Sequence, residues 1–299
     1  MTTVVAPDAI LSEITPFAAP LGSRLDTASW FDAAHAPQAL SPIDEFRSNL
    51  AEINTLYLRA SQRGDYNSTL GGLAYLGMVS AVEGYFRSLL RHLILTDEMC
   101  AENAASKTVS YAAAVHHRPE LLPEALLEGV SLASTKNVKA ELNSLCNIAQ
   151  LSASLDPLFQ SFEDICQIRH CGIHRFGKLG SQQAVKLGLE KHKPLLEKPL
   201  KLSVAHLQDI AEALEALVRG VNSHCFFDML KRSHENSPAG KNKTKYYTTS
   251  WNRDWVADRA RFERFHWIFA STHASNPSRT AKEMYEAFMA FIAAKEAGH

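Results

Sequence analysis

The sequence predicts an all-α fold, and three observations carry that prediction. Apolar residues recur at helical steps of three and four along several long segments, helix starts are marked by a capping residue followed by proline, and no alternating strand pattern competes before about residue 183. With 299 residues, 46% of them hydrophobic, the chain can bury a sizeable core.

Residues 1–40 carry repeated Pro and Ala with little periodicity, and Pro16, Pro20 and Pro37 would interrupt any long helix, so they read as a loosely ordered arm. A helical domain is expected over 41–232, opening on a Ser41 cap with Pro42 in the first turn. Between Leu73 and Leu95 the residues Leu76, Val79, Phe86, Leu90 and Leu93 form an apolar stripe whose one gap is Glu83. A carboxylate pointing at a core is costly unless paired, so a cation on a neighbouring helix is expected beside it. Shorter helices are expected near Leu121–Leu132 and Val138–Leu151, punctuated by Pro119 and Pro123. A second strong helix starts at Asp156-Pro157 and runs through Phe176, with Leu158, Phe162, Ile165, Arg169, Gly172 and Phe176 on one face. Residues 178–202 leave two readings open: a short strand Ala184–Leu189 pairing with Leu200–Val204, or a loop throughout. A third strong helix is capped by Ser203 and spaces Leu207, Ile210, Leu214, Leu217 and Val221 as the seam of a bundle. Residues 233–250 are polar and read as a linker, and 251–299 as a C-terminal extension with helices Trp251–Ala270 and Ser278–Ala297.

The net charge of −1 excludes global electrostatic steering, so affinity for a polyanion has to come from local patches. Five scattered cysteines without a C-x-x-C pair argue against a disulfide framework or a zinc ribbon and fit a reducing cytoplasm. No stretch reaches the roughly 18 apolar residues of a membrane span, and no export signal is expected.

The stretch Arg169-His170-Cys171-Gly172-Ile173-His174 places a fixed positive charge and two titratable imidazoles in one helical segment. Histidine titrates near neutral pH and serves as acid or base, and arginine grips phosphate oxygens with its planar fork. That chemistry suits RNA phosphate. Metal binding is the competing reading, because Cys166, His170 and His174 are spaced four apart. The outer two would be roughly 12 Å apart along the helix, too far to share one ion. The residue after His170 is Cys171, so the catalytic Glu of H-E-x-x-H is missing. No metal and no cofactor are expected.

The segment from Phe162 to Arg175 resembles the signature helix of the HEPN superfamily, whose nucleases carry Arg, a polar residue and, after a short gap, His. The stretch Ser80–Leu90 resembles that family's first long helix, and the Ser203 helix the one after the motif. The resemblance covers about residues 45–232 in helix order and implies a HEPN-like helical bundle with extra C-terminal helices. It also implies a metal-independent endoribonuclease of toxin or antiphage type, with an RNA substrate, a homodimer, and an antitoxin or sensor protein as regulator. On that reading His174 is the acid/base residue, Arg169 the phosphate stabiliser, His170 a second polar contact or the partner acid, and Glu83 the carboxylate that orients Arg169. Arg175, Lys241, Lys243 and Lys245 are further candidate RNA contacts.

Positions five apart lie roughly 140° apart around a straight helix, so Arg169 and His174 do not share a face, whereas His170 and His174 do. The resemblance resolves this through a dimer whose motif helices build a composite site, and Gly172 would also loosen the helix between the two residues. The family's toxins controlled by a nucleotidyltransferase carry Tyr two residues after the motif His. Here that position is Phe176, so that form of control is not expected.

The alternative is a non-catalytic HEPN-like module that binds nucleotide, RNA or a partner protein and uses Arg169 and Glu83 as structural ions. A third reading places nucleic-acid binding in the C-terminal helices, where basic residues interleave with Trp251, Trp255 and Trp267. The spacing of Trp251, Trp255, Phe262, Phe265 and Phe269 favours a packing stripe there.

Overall fold

The structure, a computed structural model, describes residues 24–36, 39–241, 246–273, 275 and 277–297. Helix α1 (Pro42–Arg63) starts where the capping signal places it: the Ser41 hydroxyl accepts the Asp44 amide, and Pro42 fills a position whose N–H would have no partner. Gly64 ends it in the left-handed conformation, at φ 78°. Asn67 caps α2 (Ser68–Thr96) through the Leu70 amide, and Asp97 both ends α2 and caps α3 (Glu98–Ala105) through the Cys100 amide. The short helices α4 (Tyr111–His116), α5 (Leu122–Leu127) and α6 (Thr135–Cys146) lead to α7 (Asp156–Arg175). Then come α8 (Ser181–Lys186), α9 (Leu189–His192), α10 (Val204–Glu235), α11 (Trp255–Phe269) and α12 (Ala281–Ala297). The fold is all-α. Among the described residues the one β-type pairing is an isolated bridge between Lys178 and Pro199.

Helix α2 is the centre of the bundle. Met78, Val82, Phe86, Leu89 and Leu93 are fully buried, and the helix packs on α1, α7, α10 and α11, as an apolar helix must. The predicted seam of α10 is buried at Leu207, Leu214, Leu217 and Val221, with Ile210 at its edge. Each such side chain contributes about 1.5–3 kcal/mol of burial.

Two stretches differ from their sequence reading. Residues 178–202 hold the short helices α8 and α9 rather than a strand pair or a bare loop. Of their apolar residues Ala184 is fully buried, while Val185 and Leu189 face solvent, so the alternation that suggested a strand has no sheet to serve. The polar stretch 233–250 is docked over its described part: α10 continues through Glu235, the buried Tyr247 hydroxyl donates to Asp97, and the Trp251 indole donates to Ser233.

Residues 40–299 form one compact unit. Residues 1–39 form another, in which the described part makes one 3-10 turn, Thr27–Trp30. Among the described residues no helix is long and apolar enough to cross a membrane.

Candidate functional site

The motif lies in the last two turns of α7. Phe159, Phe162, Ile165 and Cys166 anchor the helix in the core, and the Tyr75 hydroxyl of α2 donates to the Ile165 carbonyl. That anchoring leaves His170 and His174 on the exposed side, one turn apart, with ring centroids 5.1 Å apart and planes tilted by 32°. Burial first, then the positive neighbours His174, Arg169 and Lys186, hold the His170 pKa below the ordinary imidazole value. That direction favours the neutral, proton-accepting form of His170 relative to a free imidazole.

Helix α7 is unbroken through Gly172, so this glycine does not act as a hinge. A Cβ at that position would lie 3.1 Å from Leu76 Cδ2, and the missing side chain lets α2 and α7 approach closely. Arg169 lies about 100° from His170 and about 140° from His174 around the helix. It is half-buried beside Cys166 and Tyr75, and it makes no ion pair or side-chain hydrogen bond among the described residues. The fold thus brings the two histidines together and sets Arg169 on the flank toward α2.

Glu83 does not pair with Arg169. Its carboxylate accepts the Leu132 amide at 2.9 Å and Arg87 Nη2 at 3.4 Å, and Arg87 reaches on to the carbonyls of Leu127 and Val130. Glu83 and Arg87 together fasten the loop between α5 and α6. The cationic partner is one turn away on the same helix, a four-residue spacing visible in the sequence.

Among the other expected contacts, Arg175 Nη2 donates to both carboxylate oxygens of Glu197, at 2.6 and 2.8 Å, which clamps the returning chain to the end of α7. Lys241 is exposed, and Lys243 and Lys245 lie outside the described residues. The C-terminal aromatics are core: Trp251, Phe262, Phe265 and Phe269 are buried, with Tyr285 and Phe288 packed on the same cluster. Among the described residues no three His, Cys, Asp or Glu side chains converge on one point; Cys166 is buried while both histidines are exposed.

Lys186, at the end of α8, is the residue that motif reasoning missed. Its charge acts on His170, and its signal was the lysine content of the segment after the motif. The cluster as built can move protons through two imidazoles and holds positive charge beside them. Set against protein-family models, curated proteins and solved structures, the chain matches none.

Proposed function

We propose that this chain is a metal-independent endoribonuclease of HEPN type, acting as a toxin or antiphage effector. The observation that carries the reading is the exposed His170–His174 pair on one helix face, with the charges of Arg169 and Lys186 acting on His170. In the reaction a ribose 2′-hydroxyl attacks the adjacent phosphorus and its proton passes to one imidazole. The 5′-oxygen leaves with a proton from the other, giving a 2′,3′-cyclic phosphate and a 5′-hydroxyl. Positive charge on the phosphoryl oxygens lowers the barrier.

Arg169 sits on a different flank from His174, so one chain holds part of the geometry. A homodimer in which a second motif helix supplies the missing side supports the full site. Leu73, Ile173 and Phe176 expose apolar surface beside the motif, as such a contact would use. An antitoxin or sensor protein would restrain the activity in a cytoplasmic setting.

The test is cleavage of a mixed RNA substrate with 5 mM EDTA, followed by analysis of the new ends. Activity that survives EDTA, leaves cyclic phosphate, and is lost in both His174→Ala and Arg169→Ala is expected. EDTA-sensitive cleavage or full activity in either variant overturns the reading. The splayed position of Arg169 favours the alternative, a non-catalytic helical module. On that reading the folded chain binds RNA and leaves it intact.

A further inference from the structure

Between the motif helix and α10 the chain makes an excursion, residues 176–201, that carries six lysines (Lys178, Lys186, Lys191, Lys193, Lys198 and Lys201) against Glu190 and Glu197. Its net charge is +4 in a chain whose total is −1. All six lysines are exposed, and none forms an ion pair among the described residues. Lys107, Lys139, Lys282 and Lys295 each sit against a carboxylate, and Lys136 and Lys231 do not, so what sets the excursion apart is the density of its unpaired lysines. Of the two glutamates, Glu197 is occupied by Arg175. A cationic segment left uncompensated in this way attracts polyanions.

The excursion is held in shape rather than trailing. Its two ends are tied by the Lys178–Pro199 bridge, by the Leu200 amide on the Gly177 carbonyl at 2.8 Å, and by the Leu179 amide on the Lys198 carbonyl at 3.1 Å. Ala184 is fully buried, and α8 packs against α7, the motif helix. Helix α8 ends at Lys186, whose charge acts on His170.

Phe176, at the root of the excursion, bears two stability costs at one position. It is 88% exposed, and it adopts φ 50°, a left-handed conformation that a bulky side chain disfavours and glycine takes freely. The helix end itself needs only the backbone: the Gly177 amide closes on the Cys171 carbonyl at 2.9 Å. Nothing in the fold requires a phenyl ring there, and an exposed aromatic beside lysines is what stacks an unpaired base.

From these observations we infer that residues 176–201 form the binding track for single-stranded RNA, the lysines following the phosphates and Phe176 stacking a base next to the histidine pair. The inference rests on the ribonuclease reading for its biological sense, and binding is measured separately from cleavage.

The probe is a fluorescein-labelled 12-nucleotide 2′-O-methyl RNA, which lacks the attacking hydroxyl, titrated with the full chain by anisotropy between 50 and 250 mM salt. The variant Lys186→Gln/Lys191→Gln/Lys193→Gln/Lys198→Gln is expected to bind at least tenfold more weakly. Its salt slope should be shallower by about 3, since each phosphate contact on a single strand contributes about 0.7. A charge-matched variant on other helices, Arg59→Gln/Lys136→Gln/Arg219→Gln/Lys282→Gln, should keep most of the affinity. Phe176→Gly should lose about tenfold in affinity while the melting temperature holds or rises, a combination that a purely structural phenylalanine does not give.

Equal affinity and slope in the lysine variant overturn the track, as does tight binding to vesicles of anionic phospholipid with none to the oligonucleotide. Phe176→Gly that changes the oligomeric state and leaves affinity alone removes the stacking role and assigns that ring to a contact between copies. If the oligonucleotide binds as expected and unmodified RNA is never cut, the track stands and the ribonuclease reading falls. If RNA is cut while binding is independent of the lysines, the ribonuclease reading stands and the track falls.

Discussion

The His170 and His174 rings lie one helical turn apart with centroids separated by 5.1 Å, so a proton on one raises the cost of a proton on the other. Burial already disfavours charge on His170, and Arg169 and Lys186 act in the same direction. The His170 ring is therefore expected to titrate below about 6.5, the ordinary imidazole value. Lys186→Gln removes a positive neighbour and should move that midpoint up, and His174→Gln should do the same. NMR titration of the imidazole C–H resonances reads both shifts. A midpoint that moves down in either variant contradicts the arrangement.

Glu83 provides a second prediction because its partners differ from those expected. Glu83→Gln weakens the bond to the Leu132 amide and removes the nearer of two carboxylates on Arg87, leaving Glu124 at 4.0 Å, with a cost of about 1–3 kcal/mol in unfolding free energy. The same variant should leave the His170 midpoint in place, since Glu83 holds the α5–α6 loop and not Arg169. A shift of that midpoint would link Glu83 to the motif after all.

How far the sequence leads depends on the kind of signal. Periodicity and capping are local, and they place the starts of α1, α7 and α10 and the body of α2, with the Ser41 and Ser203 caps; the reciprocal contact from His206 to the Ser203 amide is seen only in the structure. The shared face of His170 and His174 follows from helix geometry alone. Glu83 was legible as a carboxylate on the core-facing stripe, where the structure has it partly buried, but its partner was not: the stripe suggests a neighbouring helix, while a backbone amide at Leu132 and an arginine one turn on reach it first. The docking of 246–251 was illegible for a similar reason. A polar segment with basic residues reads as solvated, and only the tertiary structure sets Tyr247 against Asp97 and Trp251 against Ser233.

Asp97 concentrates three tasks in one side chain. It accepts the Cys100 amide at the start of α3, Arg232 Nη2 at 3.2 Å and the Tyr247 hydroxyl at 2.8 Å. Burial alone would push the Arg232 guanidinium toward its neutral form, and Asp97, the largest of several opposing neighbours with Cys100, Tyr247 and Cys146, leads the reversal of this. Asp97→Asn leaves a buried cation uncompensated and should cost about 3–5 kcal/mol. Tyr247→Phe removes one hydrogen bond and should cost about 1 kcal/mol. Denaturant unfolding of the two variants tests the ranking, which fails if Tyr247→Phe is the more damaging.

Acid sensitivity follows from His92. Its ring stands edge-on to Trp267 with centroids 4.9 Å apart, and Arg91 Nη2 lies 3.3 Å from its Nε2. Burial first, and Arg91 second, lower its pKa to about 4. An unfolded histidine takes a proton below about pH 6.5, whereas the folded one refuses it until about pH 4. Between those values the unfolded state binds more protons, so stability is full above about pH 6.5 and falls as the pH drops through the window. The loss from this residue is at most about 3 kcal/mol, since one unit is worth about 1.4. His170, His234 and His266 are shifted in the same direction and add to the slope. His92→Phe keeps an aromatic ring against Trp267 and removes the titration. Urea unfolding from pH 7 to pH 4.5 should therefore give a shallower decline for the variant than for the parent chain, and parallel curves would show that His92 is protonated in the folded state as readily as in the unfolded one.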